Sequence, residues 1–77
     1  MTVKIYTTPT CQWCVKTKEF FKKHKVRYTE KDVSKSSKNA REMVEISGQR
    51  GTPVIVVNKE VIVGFYESKL KKALKIK

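Results

Sequence analysis

The spacing of apolar residues changes repeatedly along this chain, and each change marks an element. Val3-Lys4-Ile5-Tyr6-Thr7 is β-branched and aromatic and reads as a strand, stopped by Pro9. From Cys11 to about Lys25 the period lengthens to that of a helix. Cys14, Thr17, Phe20, Phe21 and His24 fall on one arc, and Gln12, Lys16, Glu19 and Lys23 on the other. Thr10 is the expected N-cap. Val15 lies off the apolar arc, and periodicity gives no account of it. Val26 to Val33 reads as a second strand, weakened by Arg27, Glu30 and Lys31. Ser36 or Ser37 caps a second helix, with Ala40, Met43, Val44 and Ser47 on one face and Gly48 at its end.

Gly51-Thr52-Pro53 then leads into Val54-Ile55-Val56-Val57. An unbroken apolar run of this kind is expected of a central strand covered on both faces. Asn58-Lys59-Glu60 makes a turn, Val61-Ile62-Val63 returns, and Gly64 breaks the strand. Leu70, Ala73 and Leu74 give a last helix its buried stripe. The order β-α-β-α-β-β-α predicts an α/β domain. Its first βαβ unit should be parallel with a right-handed crossover. Its last two strands should form an antiparallel hairpin. The result is a four-stranded mixed sheet with helices on both faces. No linker, repeat or low-complexity stretch interrupts it, so residues 1–77 read as one domain.

A chain of 77 residues buries only around 60% of the surface its unfolded form exposes, yet it can fold without a metal or staples. No apolar run approaches the roughly 20 residues that span a bilayer. Met1-Thr2-Val3-Lys4-Ile5 lacks the apolar stretch of a secretion signal. The expectation is a soluble cytoplasmic protein with no membrane partner. Lys and Arg number 18 against 7 Asp and Glu, for a net charge of +11. The lysines are scattered and arginine is sparse, whereas planar recognition of phosphate or guanine would favour arginine. No nucleic-acid partner is expected. Lys69, Lys71, Lys72, Lys75 and Lys77 read as the solvated face of the last helix.

Candidate chemistry lies in Cys11-Gln12-Trp13-Cys14, which holds the only two cysteines. If the segment is helical, one turn separates them. A thiol at the first turn of a helix faces unpaired N–H groups and the positive end of the dipole. Both favour thiolate. A free thiol has a pKa of about 8.5, whereas Cys-x-x-Cys sites at helix starts reach roughly 3.5 to 7.5. Thiolate is the species that attacks disulfides. In a reducing cytoplasm a working dithiol is more natural than a structural disulfide. A structural zinc site needs four ligands. One cysteine pair and the distant His24 could close such a site, or an iron–sulfur cluster, only between two copies, so no metal is assigned. His24 is expected to pack. Lys16 and Lys18 stand near Cys11 and are expected to be solvated.

Three segments carry a resemblance over essentially the whole chain: Tyr6-Thr7-Thr8-Pro9-Thr10-Cys11-Gln12-Trp13-Cys14, Gly51-Thr52-Pro53-Val54 and Val63-Gly64-Phe65. Together they resemble the thioredoxin fold in its minimal, glutaredoxin form, and most closely small bacterial glutaredoxin-like proteins, including those that feed electrons to ribonucleotide reductase. The resemblance implies that Cys11 is the nucleophile and Cys14 the buried resolving thiol. It implies a cis Pro53, with the Thr52 backbone offered to the bound partner. Gln12 and Trp13 would tune the potential and shape the entrance, and Gly64 would allow close backbone approach. Thr8 stands where good glutathione binders carry Lys or Arg. Arg50 or Gln49 could instead grip a glutathione carboxylate, and Phe65 resembles the Gly-Phe of relatives served by thioredoxin reductase. The implied function is a dithiol–disulfide oxidoreductase with no bound cofactor and glutathione as reductant. Its partners would be disulfide-containing or glutathionylated proteins, with glutathione or thioredoxin reductase as donor, and the protein would be a monomer.

Overall fold

In the computed structural model, which describes residues 2–76, the elements follow in the expected order. They are β1 (Val3–Thr7), α1 (Gln12–Lys23), β2 (Thr29–Asp32), α2 (Ser37–Ser47), β3 (Val54–Val57), β4 (Glu60–Val63) and α3 (Glu67–Leu74). The sheet runs β2-β1-β3-β4. β1 lies parallel to β2 and antiparallel to β3, and β3 and β4 form an antiparallel hairpin. This is a minimal thioredoxin fold.

Register decides which side chains share a face. Ile5 pairs with Ile55, which pairs with Ile62, and Val3 pairs with Val57. These residues meet Phe20 and Phe21 of α1 and Leu70 and Leu74 of α3 in the larger core. Tyr6 and Val54, also paired, point the other way and meet Met43 of α2. Helices therefore cover both faces, and the unbroken apolar run Val54–Val57 is a central strand, β3, as expected. Full burial of each large side chain contributes about 1.5–3 kcal/mol. Polar contacts fix α2 on its side. The Tyr6 hydroxyl donates to the Glu42 carboxylate, and Lys31 donates to the same oxygen at 2.7 Å.

Three boundaries differ from expectation. β2 spans only Thr29–Asp32. Lys25 takes a positive φ of 57° as the chain leaves α1, and the Val26 N–H turns back to the Phe21 carbonyl at 2.8 Å. Val26 and Tyr28 then pack against the larger core without joining a strand. Glu60, expected in a turn, pairs with Val57 and opens β4. The turn needs only Asn58 and Lys59, because Asn58 adopts a left-handed φ of 57°. At α1 the expected Thr10 cap is displaced by one residue, to Cys11.

His24 ends α1 and packs its ring on Phe20, with centroids 4.5 Å apart. Val15 is exposed, which explains its place off the apolar arc. Lys69 and Lys72 on α3 and Lys75 at its C-cap are exposed, and Lys71 pairs with Glu67 at 3.4 Å. Lys77, grouped with them by sequence, lies outside the described residues, as does Met1. Among the described residues no helix is long and apolar enough to cross a membrane.

Candidate redox site

β1 ends at Thr7 and the chain turns through Pro9 and Thr10, closed by the Cys11 N–H donating to the Thr8 carbonyl at 3.2 Å. Cys11 keeps an extended backbone and is itself the N-cap of α1. Its Sγ accepts the Cys14 N–H at 3.0 Å. A sulfur thus occupies the acceptor position that a hydroxyl or carboxylate usually fills. Negative charge there meets the positive end of the helix, and no acidic residue sits in the first turn to oppose it. The two cysteines are disulfide-bonded, with Cα atoms 5.2 Å apart. Their environments are unequal: Cys11 is half-buried and Cys14 is fully buried.

A groove of about 310 Å³ lies alongside, lined by Trp13, Thr52, Pro53, Gly64, Phe65 and Tyr66. The Thr52–Pro53 peptide is cis and Pro53 is buried. The Pro53 carbonyl accepts the Gly64 N–H at 2.8 Å, which ties this loop to the end of β4. Gly64 has a φ of 90°, and a Cβ there would meet the Tyr66 ring at 3.2 Å. The positive φ favours glycine here, and an added Cβ would in addition press on the exposed Tyr66 ring. Trp13 remains 56% exposed and stacks on Phe65, with centroids 6.3 Å apart. Phe65 in turn meets the edge of Phe20 in the core. The exposed indole is thus anchored through one aromatic ring to the body of the protein.

The fold brings Trp13, Thr52, Pro53, Gly64 and Phe65 around one groove, which reaches the Cys11–Cys14 segment through Trp13. Gln12 is exposed on the first turn of α1, and Thr8 lies half-buried beneath it in sequence, its carbonyl bonded to Cys11. Arg50 falls elsewhere. It lines a second groove of about 400 Å³ on the α2 side, with Arg41, Met43 and Val44. Gln49 is occupied within its own loop, bonding Ser47 and both backbone groups of Gly51. Lys18 is committed to Glu30 at 2.9 Å. Tyr66 is a lining residue that sequence reading did not single out. Its only signal is its place directly after Gly64-Phe65. No group of three or more His, Cys, Asp or Glu that could hold a metal occurs among the described residues.

The sequence model of the glutaredoxin family matches residues 3–62. An uncharacterized glutaredoxin-like 8.6 kDa protein in the rubredoxin operon of Clostridium pasteurianum is 40% identical over 72 residues, covering 94% of this chain and 96% of that protein. A mutant of the thioredoxin-like protein BC3987 has a similar crystal structure, with a TM-score of 0.94 at 34% identity over 99% of this chain and 97% of that one. The glutaredoxin-like protein NrdH-redoxin of Escherichia coli shares the fold, with a TM-score of 0.82 at 24% identity over 94% and 93% of the two chains. The fold and the cysteine pair define a thioredoxin-fold protein with a potential redox centre. Within that class, the chain belongs to the glutaredoxin family.

Proposed function

We propose that the protein is a dithiol–disulfide oxidoreductase. The observation that carries this reading is the inequality of the two sulfurs: Cys11 caps a helix and is half-buried, and Cys14 is sealed beneath it within bonding range. In the reduced protein the Cys11 thiolate attacks one sulfur of a substrate disulfide. A Cys11–substrate bond forms, and the other substrate sulfur leaves as thiolate and takes a proton from water. Cys14 then gives up its proton and attacks Cys11 Sγ, expelling the second substrate thiolate. The substrate gains two electrons, and the Cys11–Cys14 disulfide remains. The Thr52 backbone, held beside cis Pro53, would add a short antiparallel rung to the bound segment. For a glutathionylated protein Cys11 alone would suffice. It would take the glutathionyl group, release the protein thiol, and be cleared by a second glutathione.

A second reading concerns the electron donor. The groove lining contains three aromatic rings and no cationic side chain. Thr8 is uncharged, Arg50 lines the other groove and Gln49 is internally bonded. This favours regeneration by a thioredoxin-reductase type of flavoenzyme over glutathione. NrdH-redoxin, glutaredoxin-like and of the same fold, is described as having a thioredoxin-like activity profile. A cytoplasmic setting accords with either donor, since thiols stay reduced there.

The test is NADPH consumption with an insulin-type disulfide substrate and alternative donors. Turnover through thioredoxin reductase, with little through glutathione and its reductase, is the expected result. Turnover through glutathione alone would reverse the donor assignment. No reduction of any disulfide with either donor, or with a chemical dithiol, would overturn the oxidoreductase reading itself.

A further inference from the structure

The redox groove does not end at Tyr66. The same ring lines a larger groove of about 770 Å³ that runs along β4 and is walled by α3. β4 is an edge strand, so half of its backbone N–H and C=O groups face away from β3 with no strand to pair them. Two of its side chains, Val61 and Val63, are 38% and 41% exposed. They pair with Val56 and Val54 and so point to the α2 side of the sheet. On the opposite side stand Lys69 and Lys72 of α3, neither in an ion pair among the described residues. Lys69 lies 4.9 Å from the Tyr66 ring centre. One carboxylate, Glu60, lines the groove at the β4 end remote from Gly64.

We propose that β4 and α3 form a docking groove for an extended, acidic segment of the substrate protein next to its target disulfide. The segment adds to the free edge of β4 as a further strand. A strand sends alternate side chains to opposite faces. Apolar residues of the segment therefore meet Val61 and Val63, and the acidic residues between them meet Lys69 and Lys72. Glu60 disfavours an acid at the far end, so the acidic positions lie toward the redox groove. Charge selects this occupant over a second copy of the chain, since two molecules of net charge +11 pairing edge to edge would bring lysine walls together. The proposal rests on the oxidoreductase reading for its biological use, but the docking can be measured separately.

The test uses the full chain and two synthetic peptides containing the same internal disulfide. One is extended by alternating Val and Asp, the other by alternating Val and Asn. The ratio of their kcat/KM values cancels any change in the dithiol's own reactivity. We expect the Asp peptide to be preferred about fivefold at low salt, a preference of the size exposed ion pairs give. It should fall to near unity in Lys69→Gln/Lys72→Gln and at high salt. In parallel, the Asp peptide with its cysteines changed to serine should shift the backbone amide resonances of residues 60–63. Equal kcat/KM for the two peptides, with those amides unmoved, would overturn the docking groove and leave the oxidoreductase reading intact. Shifted amides with neither peptide reduced would uphold the groove and remove the redox reading. A dimer detected by sedimentation and joined through β4 would overturn the choice of occupant.

Discussion

At the scale of single residues, two sulfurs one turn apart have different environments, and that difference makes their roles separable. Cys14→Ser should trap a stable mixed disulfide between Cys11 and a protein substrate, visible by mass as one covalent adduct. Cys11→Ser should trap nothing and reduce nothing. An adduct on Cys14 in the Cys11→Ser protein would exchange the roles. The pair was legible because Cys-x-x-Cys after a strand carries its own geometry. The cap at Cys11 was not, since capping preferences are tallied for oxygen acceptors and pointed to Thr10. Tyr66 was hidden for another reason: it lines the groove two residues after Gly64 turns the chain at a φ of 90°, a turn that no side-chain pattern announces. Elsewhere, Lys31 and then the Tyr6 hydroxyl hold the Glu42 carboxyl below its usual 4.5. A depressed carboxylate contributes stability that is complete above its unfolded pKa and is lost as pH falls through the folded value. Stability to urea should therefore fall below about pH 4.5, and Glu42→Gln should lose part of that acid-dependent fall.

At the scale of elements, helix ends and turns position the groove, and most of their signals are local. α2 is bounded by Ser36, whose Oγ accepts the Asn39 N–H at 3.1 Å, and by Gly48 at a φ of 73°. Both were legible because each is a short-range rule about one backbone conformation. A Cβ at Gly48 would meet nothing within 4 Å. Gly48→Ala should then cost only the left-handed conformation, about 1 kcal/mol in urea unfolding. Gly64→Ala should cost at least as much, and its Cβ should also displace the exposed Tyr66 ring, which it meets at 3.2 Å. It should lower the rate of protein-disulfide reduction as well, since that ring lines the groove; a variant with wild-type kcat/KM would separate Tyr66 from the site. The length of β2 was less legible. Its side chains are mostly polar and half-exposed, so pairing with β1, and not hydrophobic pattern, sets its bounds.

At the scale of the whole molecule, composition revealed the charge excess but not how little of it is neutralised. Three ion pairs form among the described residues: Lys18–Glu30, Lys31–Glu42 and Lys71–Glu67. The remaining cations repel one another across a body measuring only 35 × 23 × 17 Å. The screening length is about 30 Å at 0.01 M salt and about 8 Å at 0.15 M. In dilute buffer each lysine therefore feels charges across most of the molecule, whereas at the higher salt it feels only its neighbours. Self-repulsion of this kind opposes the compact state. Relief of about 1 kcal/mol would raise the melting temperature of a domain this small by roughly 4–8 °C. Calorimetry should show that rise between 0.01 and 0.15 M sodium chloride, with no comparable rise on adding uncharged osmolyte at the same osmolality. Turnover of an acidic protein substrate should move the opposite way over the same interval, because salt also screens attraction toward the lysine-walled groove. A melting temperature that stayed flat or fell would mean that the unfolded chain carries as much repulsion as the folded one, and that the excess charge has no net effect on folding.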